Sequence, residues 1–427
     1  MLSLALALAL TQYPQHRLFK QPSLPTASYA FFEAFSGAGT TTACSTTAPT
    51  GARGEALTFT RTGSATCTKT ASGGLATTGI ADGDLVSLSG NVARVEYDSA
   101  GVLGLRVESS RTNSLLRSEE ISNAAWTKLG TVIAAPTVTA DFSNSPSGTT
   151  TADRVQLAAS SGASQTSLIR QTVTTTGGAA YTCTVYVRGN GTSGTTYINN
   201  SLAAGGSTPG SCAYVSGSWT RCSFSFNAGG VADGCDLGTN TFLNIATTQP
   251  THDLLVWGFQ LEAGAYATSY IPTTTASAVR NSETATFTVS LATAGGFSLA
   301  GTVAPLRGNM PSEGQLVSLY LSDAQRFHIP WIVGSTSLRA TLTSAGATIN
   351  TANQSGVDGA LERAALWWDA STLNLVRSGT TTSVARGGVV TDFTATTIGI
   401  GSVGSFVNRA DAIVSRVCLD PSPTRCR

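Results

Sequence analysis

Apolar and polar residues alternate with a period of two through much of this chain, the spacing of a half-buried strand. In YTCTVYVRG, Tyr181, Cys183, Val185 and Val187 share one face, and in WTRCSFSF so do Cys222, Phe224 and Phe226. SLIRQTVT alternates in the same way. LLVWGFQLEAG places Leu255, Trp257, Phe259 and Leu261 on one side and Leu254, Val256 and Gln260 on the other. This predicts a core strand, with Trp257 inside. Gly258 in its middle signals a bulge or a close backbone approach.

Short strands precede and follow this region. LTFTRTG and ATCTKTA flank a Gly-Ser turn and predict a hairpin, after which LVSLSG, ARVEYD and LGLRVES continue the pattern. Residues 111–276 read as one β-sandwich, with a loop-rich edge from Gly189 to Gly217. Only Glu119 to Ala125 has a briefly helical look. Residues 277–286 read as a polar linker carrying Arg280 and Glu283. A second alternating region, 287–427, contains QLVSLYLS, SLRATLTS, TTIGIGS and AIVSRVCLD, with ALWWDASTLNLVRSG as two strands about a turn at Asp369 to Thr372. No fixed repeat period points to a solenoid or propeller. The expected fold is all-β: two antiparallel β-sandwich domains in tandem behind an N-terminal arm and β-hairpin segment over 12–110.

Composition agrees with this pattern. Charged residues make up 11% of the 427 residues, against about a quarter in ordinary soluble proteins. Gly, Ser, Thr and Ala fill the difference and suit short strands and turns. A net charge of +1 gives no electrostatic footprint for nucleic acid. The eight cysteines, Cys44, Cys67, Cys183, Cys212, Cys222, Cys235, Cys418 and Cys426, include no CxxC pair. Disulfides in an oxidising compartment are the expectation. Locality suggests Cys44–Cys67 and Cys418–Cys426, and leaves the pairing of the middle four open. The opening MLSLALALALTQ resembles the apolar core of a secretory signal, with 1–11 as a signal-peptide remnant. It is too short to span a bilayer, and no later stretch qualifies as a transmembrane segment.

Three stretches carry a family resemblance: GLRVESSRTNSLLRSEEISNAAWTKLG, then ADRVQL with YTCTVYVRG, then LLVWGFQLEAGAYATSYIPTTT. Their order and spacing resemble a carbohydrate-binding-like jelly-roll module of phage tail and tail-fibre proteins and of related exported bacterial proteins. The region from FSLAGTV to AIVSRVCLD resembles a laminin-G or concanavalin A-like sandwich. The resemblance implies jelly-roll sandwiches and a secreted or cell-surface protein, or a virion tail part. It also implies recognition of a polysaccharide or cell-surface glycan, and admits a homo-oligomer.

Catalytic motifs are absent from the sequence. His16, His252 and His328 are isolated, and no HExxH, nucleophile elbow or Walker loop occurs. GIGSVG from Gly399 matches GxGxxG, but no helix pattern follows it. Glu119 and Glu120 read as solvated carboxylates. Sugar recognition needs exposed aromatic faces and polar groups for hydroxyls. Tyr197, Tyr214, Trp331 and Trp368 are the candidates, while Trp126, Trp219 and Trp257 are assigned to structure. The resemblance to carbohydrate-binding jelly rolls also implies a structural calcium ion, which takes six to eight oxygens, with Asp153, Asp253 and Glu262, the acidic residues near the family motifs, as its candidate ligands. The expected function is non-catalytic carbohydrate binding or adhesion. A structural assembly or matrix protein is the alternative, and a glycan-degrading enzyme a more distant one.

Overall fold

The computed structural model describes residues 31–32, 43–46, 56–69, 78–97, 103–162, 165–200, 202, 209–230, 232–239, 248–293, 298–305, 314–322, 325–332, 337–344, 347–351, 353–355, 362–368, 371–377, 380–385, 393–400 and 412–420. Among the described residues all regular structure is β-strand. None forms a helix long and apolar enough to cross a membrane. The region 1–11, Cys426 and the expected turn at Asp369-Ala370 lie outside the described residues.

The first sandwich packs two five-stranded antiparallel sheets. One runs Thr220–Asn227, Ala180–Gly189, His252–Ala263, Ala152–Leu157, Thr137–Ser143. The other runs Gly210–Tyr214, Gly194–Asn199, Ala232–Thr239, Thr166–Thr174, Thr127–Thr131. Alternation delivers Val155, Ile169, Cys183, Val185, Val187, Phe224, Leu237 and Leu261 to the layer between them. Cys183 and Cys235 join the two sheets through this core, and Cys212 and Cys222 clasp them at one edge. The span Gly189 to Gly217, expected as loops, contains two strands of the second sheet. Its Thr and Ser residues suit a strand that faces solvent on one side.

Gly258 forms the expected bulge. Its φ is 66°, and the pairing of His252–Ala263 with Ala180–Gly189 shifts register between Thr184 and Tyr186. The extra residue reverses the side-chain parity. Leu254 and Val256 therefore share the inter-sheet core with Phe259 and Leu261. Leu255 and Trp257 lie on the opposite face, in a separate cluster with Ile80, Leu85, Tyr186, Trp219 and Tyr270. Trp257 is buried as expected, but in this outer layer, because strict alternation fails at the bulge.

The second sandwich is built from both ends of the chain. One sheet runs Thr380–Ala385, Thr372–Arg377, Glu362–Trp368, Ser298–Pro305, Ala412–Asp420, and then Leu103–Val107 and Arg94–Tyr97 from the N-terminal segment. The facing sheet begins Leu57–Thr60, Thr284–Thr293, Phe393–Ile400, Gly314–Ser322, Gln325–Ile332. Phe59, Leu105 and Val107 share its core with Phe287, Phe327, Leu375 and Val414. The expected hairpin does not form. Leu57–Thr60 pairs with Thr284–Phe287, and Ala65–Thr68 pairs with Leu85–Leu88. Hairpin logic fails because Phe59 reaches a core that sequence-local pairing cannot supply.

A buried ionic lattice fastens these parts together. Arg61 Nη1 lies 2.6 Å from Glu283, and Arg94 Nη2 lies 2.5 Å from Glu283 and 2.6 Å from Glu108. Arg106 lies 2.6 Å from both Glu96 and Glu108, and Arg280 Nη1 3.1 Å from Glu108. All seven side chains are buried. Residues 277–286 are thus no polar linker. Ala278–Arg280 pairs with Arg111–Asn113, and the two charges of the stretch, Arg280 and Glu283, are inside the lattice. Glu119 to Ala125 is a series of turns rather than a helix, with bonds from Glu120 N to Arg117 O and from Asn123 N to Glu120 O.

Candidate functional site

The aromatic residues singled out in the sequence part company in the structure. Tyr214 is 4% exposed, and its Oη is 2.7 Å from His252 Nδ1. Trp368 is buried edge-on against Phe327, with ring centroids 4.4 Å apart. Neither offers a face to a sugar. Trp367, its neighbour on the opposite face of the strand, is buried as well. Both faces of that strand are covered. Trp331 stands in the strand Gln325–Ile332, opposite Leu338, and its side chain lies outside the described residues. Tyr197 is half-buried on the outer face of its sheet, opposite Gly238. Trp126 and Trp219 are buried, as assigned.

The three carboxylates considered for calcium do not converge. Asp153 faces inward. It accepts bonds from Ser122 N at 2.6 Å and Asp141 N at 2.9 Å, and burial raises its pKa. Asp253 faces outward and is gripped by Arg154, whose hydrogen bonds lower its pKa. Glu262 is buried and accepts from Thr268 N and Oγ1, and burial raises its pKa. Each is engaged elsewhere, so these residues build no calcium site. Among the described residues no group of three His, Cys, Asp or Glu could hold a metal ion. His252 is held neutral by burial, and its Nε2 has no hydrogen-bond partner. The Cys44–Cys67 disulfide forms, while the expected partner of Cys418, Cys426, lies outside the described residues.

One surface of the first sandwich brings the chemistry of recognition together. Register places Asp253 opposite Gln156 and Arg188, Leu255 and Arg154 in the next outward row, while Asn190, just past the end of its strand, sits beside Asp253 and donates its backbone N–H to the Asp253 carbonyl. These residues alternate outward on strands whose inward residues fill the core. From Leu255 on, the sheet disappears under Ile80, Leu85, Trp219 and Tyr270, so the open area is confined to the end that carries Asn190, Asp253 and Gln156. Arg188 marks its border, reaching Asp82 Oδ1 at 2.8 Å, and its guanidinium lies 4.7 Å from the centre of the Trp219 ring.

Phe142 completes the patch, and a bulge puts it there. The pairing of Thr137–Ser143 with Ala152–Leu157 shifts register between Ala152 and Arg154. Asp141 takes a left-handed φ of 48°, with its amide held by the buried Asp153 carboxylate. A non-glycine residue in that region carries strain that its surroundings must offset, which here is the Asp153 bond. Phe142 emerges 45% exposed, with the Arg154 guanidinium 5.1 Å from its ring centre. Arg154 Nε and Nη2 donate to the two oxygens of Asp253 at 2.8 and 2.5 Å, and Asn190 Nδ2 donates to Asp253 at 3.2 Å. Phe142 was missed in the sequence because TVTADFS breaks its alternation at the bulge. Its one legible signal is an aromatic residue in a strand otherwise made of small and polar residues.

No family model matches the chain, and none of the curated proteins matches it. Among solved structures it is similar to a native heptameric SAP-like pentraxin from Limulus polyphemus. The identity is 12%, over 34% of this chain and 73% of that one, with a TM-score of 0.28. It is also similar to domains LG4–5 of the mouse laminin α1 chain. Here the identity is 13%, over 57% of this chain and 81% of that one, with a TM-score of 0.22. At such low overlap neither likeness bears on function.

Proposed function

We propose that this protein is a non-catalytic carbohydrate-binding protein of the adhesion or tail-fibre type. It works in an oxidising setting, secreted, at a cell surface or on a virion tail. Its first sandwich binds a surface polysaccharide through the patch of Phe142, Arg154, Asp253, Asn190 and Gln156. The observation that carries this reading is the bulge that holds Phe142 out beside a hydrogen-bonding network. An aromatic face covers the apolar face of a sugar ring, and neighbouring fixed polar groups meet its hydroxyls. The three disulfides support the oxidising setting. Tyr197, half-exposed on the other sheet, is a second candidate contact, with the Arg170–Asp236 pair, 2.8 Å apart, on the neighbouring strands. A glycan array probed with the labelled full chain tests the reading. Binding to at least one glycan that weakens in Phe142→Ala is expected, and no binding to any glycan overturns it.

A second reading, an assembly protein making only protein contacts, is favoured by one feature. Val132 is 78% exposed at a φ of 68°, in an apolar loop with Ile133, Ala134 and Ala135. A β-branched residue so placed is a genuine outlier. A silent array together with a concentration-dependent oligomer lost in Val132→Ser would favour this second reading.

A further inference from the structure

We infer that the Phe142 patch takes an uncharged polysaccharide, contacting two neighbouring sugar rings, and rejects acidic chains. This rests on the carbohydrate reading above and narrows it to a substrate class.

The first ground is charge. Each cation of the patch is already matched: Arg154 by Asp253 and Arg188 by Asp82. A carboxylated or sulfated sugar would need an uncommitted cation, since guanidinium and ammonium groups carry the recognition of such anions. Here it would instead meet the exposed side of the Asp253 carboxylate. The fork from Arg154 keeps that carboxylate ionised at neutral pH.

The second ground is the mix of hydrogen-bonding atoms left over. Arg154 Nη1, Gln156 Nε2 and Asn190 Oδ1 have no protein partner among the described residues. Two of these donate and one accepts. Sugar hydroxyls do both, whereas an anion asks for donors alone. Thr137 and Thr139 add exposed hydroxyls along the same edge.

The third ground is extent. The row from Asn190 through Asp253 to Gln156 crosses two strand spacings, about 10 Å. That is long enough for two linked sugar rings and too long for one. The row continues onto Thr137 of the edge strand, and its residues are half-buried or exposed, so an internal stretch of a long chain can lie across.

Titration calorimetry on the full chain separates the possibilities. Neutral polymers (a β-glucan, a galactomannan, a xyloglucan) and acidic ones (alginate, polygalacturonate) are compared at 50 and 500 mM NaCl. Binding confined to neutral polymers is expected, with an affinity that changes less than twofold with salt. Phe142→Ala should weaken it by about tenfold. Gln156→Ala, at an exposed position, should weaken it severalfold, and it keeps the test open if Phe142→Ala fails to fold. Binding of acidic polymers that Phe142→Ala weakens, or an affinity that falls more than tenfold with salt, overturns the neutral-chain inference while leaving carbohydrate recognition intact. No binding to any polymer overturns both.

Discussion

Replacing Glu283 by glutamine removes one negative charge from the middle of the buried lattice while keeping the side chain's shape. Glu283 accepts from Arg61 Nη1 at 2.6 Å, from Arg94 Nε at 2.8 Å and Nη2 at 2.5 Å, and from the backbone amide of Glu108 at 2.9 Å. An amide can turn only one acceptor toward these donors, and its NH2 group faces the rest. Arg61 loses its carboxylate partner and Arg94 one of its two, and breaking a buried pair from one side costs about 3–5 kcal/mol. The partners come from residues 61, 94 and 108, so the loss falls where the N-terminal strands join the second sandwich. With a urea slope of about 2–3 kcal/mol/M, the unfolding midpoint of the full chain, followed by tryptophan fluorescence, should fall by about 1–2 M. Glu120→Gln is the control. Glu120 pairs with Arg117 on the surface, and such pairs contribute at most about 1 kcal/mol. If Glu283→Gln shifts the midpoint no more than Glu120→Gln does, the lattice is not what fastens the N-terminal segment.

Other consequences follow from the same geometry. Burial alone would raise the Glu108 carboxyl, but Arg106, Arg280 and Arg94 overcome it and hold it well below the carboxylate range. A depressed carboxyl contributes stability that is complete above its unfolded value, near 4.5, and is lost as pH falls through the folded one. The wild type should therefore lose more stability than Glu108→Gln between pH 6 and pH 3, measured as urea midpoints; an equal loss would refute it. The Cys183–Cys235 bridge closes a separation of 52 residues and Cys212–Cys222 one of 10. Chain entropy then makes replacing the first pair by alanine cost about 4 kcal/mol and the second about 3, an order that thermal melts of the two double variants would check. Gly258→Ala puts a Cβ at φ 66°, 3.0 Å from the Tyr186 ring. It should destabilise by about 1–2 kcal/mol, and a variant as stable as the wild type would show that the bulge relaxes freely.

Strand by strand, much of this fold could be read from alternation. Cys183, Val185 and Val187 share an inward face, as do Cys222, Phe224 and Phe226, because each lies in an unbroken run of period two. The antiparallel pairing of Glu362–Trp368 with Thr372–Arg377 is legible as two neighbouring apolar runs in ALWWDASTLNLVRSG. What escaped was non-local. Leu57–Thr60 pairs across more than two hundred residues, and nothing near it in the sequence shows that. Arg280 and Glu283 looked like linker charges because burial of a charge depends on partners elsewhere in the chain, here Glu108, Arg61 and Arg94. The site was lost at its bulge. Parity tells which side of a strand is wet only until an extra residue intervenes, as at Asp141 and again at Gly258. Tyr214 shows the converse error. Its Gly-, Ser- and Thr-rich surroundings point to an exposed aromatic on a loop, yet its strand alternates Cys212 and Tyr214 inward.

The most direct test of carbohydrate recognition is a crystal structure of the full chain with a bound neutral oligosaccharide. A sugar ring against Phe142, with hydroxyls bonded to Asp253, Asn190 or Gln156, is the result expected. A sugar seated elsewhere on the molecule, with the Phe142 patch bare, would contradict the account.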